Sequence, residues 1–199
     1  MFDDLILIFA RNPELGKVKT RLAAAIGNKN ALEIYEYLLN HTNNVLKEIK
    51  KEKRVLYADE VILDDIWDNN SYQKQEQFGQ DLGARMRNAF AAAFEDDYKK
   101  VVIIGTDLYD LSAQDIQLAF NKLDNHDIVI GPADDGGYYL LGLKFIPDGI
   151  FINKKWGSNS VLSDTLINIE QFNVAMLDFK NDIDTVNDIK NIPDFQKYI

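Results

Sequence analysis

Two acidic turns and one basic loop hold the residues of this chain that could do chemistry. The first turn lies in Val101-Val102-Ile103-Ile104-Gly105-Thr106-Asp107-Leu108-Tyr109-Asp110-Leu111-Ser112. Four consecutive β-branched apolar residues read as a strand buried on both faces. Gly105 lets the chain leave that strand tightly. Asp107 then stands just past its carboxyl end, where open α/β sheets bind ligands. A carboxylate oxygen there suits a hard divalent cation. Ser112, with Asp115 three residues on, can cap the next helix. The plainer reading is an ordinary strand-to-helix turn that uses Asp for its turn geometry.

The second turn is Ala133-Asp134-Asp135-Gly136-Gly137, followed by the strand-like run Tyr138–Leu143. Two carboxylates next to two glycines let charge and backbone come close to a ligand. Asp-Gly is equally the commonest hairpin signal, so a simple hairpin competes with a binding loop. The basic loop runs from Arg11 to Arg21 and holds Arg11, Lys17, Lys19 and Arg21 against the single acid Glu14. It follows a first apolar run and leads into a helical pattern. A helix N-terminus already favours anions, so phosphate binding is the physical expectation, with a solvated basic face as the alternative. It is not a P-loop: Val18 follows Gly16-Lys17, and no glycine stands five positions before Gly16.

Stepping outward, a strand over Leu5–Ala10 and a helix over Lys17–Ile26 closed by Gly27 should flank the basic loop. Leu32, Tyr35, Leu38, Leu39, Thr42, Val45, Leu46 and Ile49 mark an amphipathic helix of about 20 residues, with His41 beside the stripe as a structural residue. Arg54–Asp59 reads as the second strand. Glu60–Gln80 reads as a polar surface excursion anchored by Trp67 and Phe78. A helix carrying Met86, Phe90, Ala93 and Phe94 follows. Arg85 and Arg87 sit near its start, where cations are disfavoured unless a ligand or carboxylate meets them; Arg87 reads as solvated. Ile116, Ala119, Phe120 and Leu123 form the stripe of the next helix. Asp127–Pro132 and Val174–Leu177 are further strands, and Val161–Ile169 a further helix. Asp184 or Thr185 can cap a short final one. The spacing of Asp182-Ile183-Asp184-Thr185-Val186 matches the aspartyl nucleophile motif of haloacid-dehalogenase-type phosphatases. That motif follows the first strand of its fold, and here it follows a late one, so the phosphatase reading is set aside.

Composition narrows the field. The 199 residues are 46% hydrophobic and 27% charged, which suits a globular domain, and no repeat or second domain is visible. Lys and Arg number 22 against 32 Asp and Glu, a net charge of −10, which argues against nucleic acid as a partner. With no cysteine and only His41 and His126, thiolate catalysis, disulfides and zinc–cysteine sites are excluded. No apolar run approaches the ~20 residues of a membrane span. The acidic N-terminus does not look like a signal peptide, so a cytoplasmic location is expected.

Three segments together resemble one family. These are Arg11–Leu22, Gly105–Leu111 and Gly131-Pro132-Ala133-Asp134-Asp135-Gly136-Gly137-Tyr138-Tyr139-Leu140-Leu141-Gly142-Leu143. Asp182–Thr185, Asp81–Met86 and Trp156 fit in order. The chain resembles the bacterial selenodomain-associated, arsenosugar-type glycosyltransferases, which are similar to GT-A nucleotide-diphospho-sugar transferases and to guanylyltransferases. The chain departs from that pattern at Arg11, where the family usually has Lys, at Leu108-Tyr109 in place of Cys-Pro, and at Asp134 in place of Glu.

The resemblance implies a single α/β domain over residues 1–199, a Rossmann-like GT-A fold with a mostly parallel sheet and helices on both faces. It implies a transferase working on a nucleotide-sugar or nucleoside triphosphate and a small-molecule acceptor, with Mg²⁺ or Mn²⁺. Asp107 and Asp184 would be the metal ligands. Arg11, Lys17, Lys19 and Arg21 would hold donor phosphates. Gly136, Gly137 and Arg85 would complete substrate binding. Asp134 and Asp135 would face the acceptor, one as general base. Nucleotidyl transfer and a non-catalytic nucleotide-binding module are the competing readings. Pyrophosphate release marks the first, and binding without turnover the second.

Overall fold

A computed structural model of the chain describes residues 3–199. Seven strands form one sheet in the order β3-β2-β1-β4-β6-β5-β7. They are β1 (Asp4–Ala10), β2 (Glu52–Tyr57), β3 (Gln73–Glu76), β4 (Lys100–Ile104), β5 (Ile128–Pro132), β6 (Tyr138–Leu143) and β7 (Val174–Met176). β1 runs parallel to β2 and β4, β2 to β3, and β5 to β7. Only β6 is reversed, antiparallel to both β4 and β5.

The aliphatic runs account for this sheet. Alternate residues of a strand face opposite sides, and β1 and β4 are apolar on both. Ile6, Ile8, Val102 and Ile104 face one layer, formed by α2 (Asn28–Lys47) and α4 (Ala113–Leu123) through Tyr35, Leu39, Leu46, Ile116 and Phe120. Leu5, Leu7, Val101 and Ile103 face the other, where α3 (Leu82–Glu95) brings Met86, Phe90 and Ala93. α5 (Val161–Asn168) lies on that same side, with Leu162 and Leu166 packed against the cluster. Ser112 caps α4 in a reciprocal box with Asp115, as the sequence predicts.

A smaller cluster ties the end of the described chain to α2. Leu22 of α1 (Thr20–Ile26), Ala31, Ile34 and Leu38 of α2, and Ile183, Ile189 and Phe195 are all buried together. Ile189 belongs to the short α6 (Val186–Ile189), and Phe195 to a 3₁₀ turn at Pro193–Tyr198. The Asp194 carboxylate accepts from the hydroxyls of Tyr37 at 2.7 Å and Tyr109 at 2.8 Å.

Three expectations are corrected. The first helix begins at Thr20 and not at Lys17, because Lys19 sits left-handed at φ 47°, ψ 45° just before it. Lys17 and Lys19 are therefore loop residues, and α1 has only 7 residues. The polar excursion contains strand β3, whose Gln-Lys-Gln-Glu sequence shows no apolar alternation because it is an exposed edge. Within that excursion Trp67 is a buried anchor, but Phe78 is 80% exposed. Of the two caps the sequence offers for α6, Thr185 is the one used, in a box with Asp188.

From β1 the chain crosses to β2 on one side, and β4 lies on the other. The carboxyl ends of β1 and β4 thus flank a topological switch point, where such sheets open a crevice.

Candidate functional site

The crevice is real. It has two lobes of about 610 and 550 Å³ that share Arg11, Tyr35, Asp107 and Asp182. The first lobe reaches under α3 past Asp59, Gln77, Asp81 and Arg85. The second is walled by Lys17, Lys19, Arg21, Asp134, Asp135 and Asp184.

Asp107 lies at the junction. Its backbone is pinned from the far end of the sequence: the Ile183 N–H donates to the Asp107 carbonyl at 3.0 Å, and Leu108 bridges Asp182 in antiparallel fashion. This pairing makes Asp182, not Asp184, the carboxylate adjoining Asp107. Burial, then the negative charges of Asp107, Asp135 and Asp184, push the Asp182 carboxyl up to about 7, with Lys19 pulling the other way. Asp184 is turned to Arg21, whose guanidinium donates to it at 2.8 Å.

The basic loop supplies the counter-charge. Lys19 Nζ stands 3.0 Å from Asp107 Oδ2, and its side chain is 5% exposed while that of Asp107 is 43% exposed. Lys17 is exposed and paired with Glu14 at 2.6 Å. The loop is fixed at two points. Tyr35 of α2 accepts the Arg11 N–H at 2.9 Å and lies 3.3 Å from Thr106 Oγ1, so one buried hydroxyl ties the end of β1 to the residue before Asp107. Asn12, also buried, donates to the Glu60 carbonyl at 2.8 Å and accepts the Asp59 N–H at 3.3 Å, joining the loops after β1 and β2.

The acidic-glycine turn forms the hairpin the sequence allowed. It is the β5–β6 hairpin, closed by Ala133 N–H to Gly137 O at 3.1 Å, and it carries exposed Asp134 and Asp135 into the second lobe. Gly136 and Gly137 do not line the cleft. Gly136 has φ 88°, and a Cβ there would stand 2.2 Å from the Asn159 carbonyl oxygen, so glycine is what seats the hairpin against the 157–160 segment. The Gly137 N–H donates to Asp135 Oδ1 at 2.8 Å and orients that carboxylate. Arg85 lies across the cleft in the first lobe, donating to the Gly79 carbonyl at 3.2 Å and to Gln77 at 3.4 Å. Its partners are neutral oxygens and not a carboxylate. Arg87 is exposed, as expected.

Sequence reasoning missed Asp182, Tyr35 and Thr106. Asp182 sat in a segment read for caps, for a rejected motif and for the family resemblance, which gave the metal role to Asp184 instead. Tyr35 was counted as one more apolar residue of the α2 stripe, although a hydroxyl on a fully buried face needs a partner.

No group of three or more His, Cys, Asp or Glu residues gathers at metal-holding distance among the described residues. The donor set still suits a hard divalent ion that keeps several waters and phosphate oxygens, since such ions need only one or two carboxylates. The negative charge that raises Asp182 is the same surplus that such an ion would neutralise.

The architecture is that of nucleotide-diphospho-sugar and nucleotidyl transferase folds, a Rossmann-like α/β domain with a mostly parallel sheet. Residues 42–158 match a family described as "Uncharacterized protein conserved in bacteria (DUF2064)", and the chain belongs to that family. A Desulfovibrio desulfuricans G20 protein, provisionally described as a nucleotide-diphospho-sugar transferase, is 32% identical over 98% of this chain and 91% of its own, with TM-score 0.85. A cytidylyltransferase from Leptospira borgpetersenii serovar Hardjo-bovis (strain JB197) shares the fold at 17% identity, covering 100% of this chain and 88% of its own, TM-score 0.62. Rv0371c from Mycobacterium tuberculosis H37Rv, solved in complex with manganese, shares it at 12% identity, covering 96% and 97%, TM-score 0.52. No curated protein gives a significant match.

Proposed function

We propose that this protein is a metal-dependent transferase that moves a sugar from a nucleotide-diphospho-sugar to a small acceptor. One observation carries the reading: Asp107, Asp182, Lys19 and Arg11 meet at the switch point between β1 and β4, with Arg21 and the Asp134–Asp135 turn on the wall opposite the first lobe. The description of the Desulfovibrio relative supports the same activity. So does the resemblance to selenodomain-associated, arsenosugar-type glycosyltransferases.

In this reading Asp107 and Asp182 hold Mg²⁺ or Mn²⁺, with Asp184 one step further out and engaged by Arg21. When bound, the ion neutralises charge on the leaving diphosphate. Arg11, Lys19 and Arg21 take the diphosphate oxygens, and Lys17, at the rim, steers the donor inward. The first lobe, with Asp59, Gln77 and Arg85, takes the nucleoside. Asp134 and Asp135 present the acceptor, and Asp135 removes its proton, since the Gly137 N–H holds that carboxylate in place. Gly136 and Gly137 shape the turn and do not themselves touch substrate. Tyr35 sets the spacing between the basic loop and Asp107.

The same residues could serve attack on the α-phosphate of a nucleoside triphosphate. The cytidylyltransferase that shares the fold keeps that second reading in view. Calorimetric titration with UDP, GDP, CDP and ADP, each with and without Mn²⁺, tests the donor site. Mn²⁺-dependent binding of one of them is expected, and binding of none by the folded protein overturns the proposal. Free sugar released from the matching nucleotide-sugar then separates sugar transfer from the pyrophosphate-releasing alternative.

A further inference from the structure

Lys19 is the most buried of the four basic residues in its loop, and it points at a carboxylate instead of at open cleft. Its Nζ takes Asp107 Oδ2 at 3.0 Å, with a side chain only 5% exposed. The backbone beneath it is left-handed at φ 47°, a conformation rare for a residue with a side chain and kept only where surroundings demand it. Arg21, two residues on, shows the contrast. Its side chain is 69% exposed and its guanidinium engages Asp184, away from Asp107.

We infer that Lys19 and the divalent ion compete for Asp107, so that the ion enters only as the Lys19 ammonium leaves Oδ2 for a donor phosphate. This rests on the proposed metal role of Asp107. A hard cation approaches a carboxylate oxygen to about 2.0–2.1 Å for Mg²⁺, and Oδ2 is already committed to an ammonium. An ion on Oδ1 or Oδ2 would in either case stand beside the Lys19 ammonium and be repelled by it. A phosphate in the second lobe offers Lys19 an alternative anion, because the lobe is walled by Lys19 and Arg21 together. Metal and donor phosphates then bind synergistically, each clearing the way for the other, as reciprocity of coupled sites requires. Lys19 is in this view a positioning cation with two anchorages.

The test is Mn²⁺ affinity without nucleotide, read from the free-ion signal in electron paramagnetic resonance, for the wild type, Lys19→Met, Lys19→Gln, Arg21→Met and Asp107→Asn. An ammonium 3.0 Å from Asp107 Oδ2 directly opposes a second cation at that carboxylate. Removing the ammonium should therefore tighten Mn²⁺ binding by about tenfold or more in Lys19→Met. Lys19→Gln, which keeps a polar partner for Asp107, serves should the methionine variant not fold. Arg21→Met removes the same charge without touching Asp107, and should tighten binding far less. Equal or weaker binding in the folded Lys19 variants, or an equal gain in Arg21→Met, overturns the competition while leaving the metal role intact if Asp107→Asn loses Mn²⁺. Undiminished Mn²⁺ binding by Asp107→Asn instead overturns the metal role itself, and the competition with it.

Discussion

Individual carboxylates of the cleft have separable tasks. Asp107→Asn keeps the shape of the side chain but removes the charge for which Lys19 and a divalent ion would compete. Metal-dependent nucleotide binding should be lost with the fold intact, and a titration with unchanged affinity would remove Asp107 from the site. Asp182 makes a prediction about stability. Burial among like charges raises its pKa to about 7, so the folded chain holds that proton more tightly than the unfolded chain does. Stability is then lost as pH climbs from the ordinary carboxylate range toward 7. Asp182→Asn, which mimics the protonated form, should melt at least about 3 °C higher than wild type at pH 8. The difference should close near pH 4. A variant that melts lower at pH 8 would contradict the charge crowding. Of these two residues, Asp107 was visible in the sequence because a buried strand announces where its carboxyl end lies. Asp182 was not, because a single antiparallel bridge to Leu108 brings it there from 74 positions away, and no local pattern encodes such a pairing.

At the scale of elements, what the sequence displayed well was whatever packs on two sides. β1, β4, β5 and the stripes of α2, α3 and α4 stand where their apolar runs and periodicities put them. Elements that pack little stayed hidden: β3 is an edge strand of four polar residues, and the start of α1 is set by the backbone angle of Lys19 and not by helix propensity. The hairpin between β5 and β6 shows how little space separates a turn from its neighbours. Gly136→Ala would drive a methyl into the Asn159 carbonyl at a positive φ. A loss of about 2 kcal/mol or more is expected in chemical denaturation, together with weaker acceptor-side function as Asp134 and Asp135 shift. An unchanged midpoint would mean that the 157–160 segment yields freely. Phe90, fully buried at the centre of α3, gives the calibration: Phe90→Ala should cost about 3–5 kcal/mol.

For the molecule as a whole, a ligand that binds only the folded state must raise its stability. A nucleotide at a hundred times its dissociation constant adds about 2.7 kcal/mol, a shift visible in a thermal melt. With the correct base and Mn²⁺ present, the melting temperature should rise, and it should not rise for Asp107→Asn. Net charge bears on this too. The chain carries −10 overall, and the second lobe sets Lys17, Lys19 and Arg21 among Asp107, Asp134, Asp135, Asp182, Asp184 and Asp188. The anionic donor proposed here is therefore repelled by the protein at large and depends on these cations together with a divalent ion, so raising salt should weaken donor binding less than the local cations alone suggest.

The segment from Lys180 to Phe195 threads back across everything built before it. Lys180 reaches the Asp110 carbonyl at 2.9 Å, Ile183 fastens the Asp107 carbonyl, and Asp194 gathers Tyr37 and Tyr109. These residues leave the ribosome after all seven strands have been made. None of the pairings among the seven strands uses Asp182, Asp184 or the clasp on the acidic turn. Chain order thus places the last carboxylates of the cleft after every strand of the sheet that holds them.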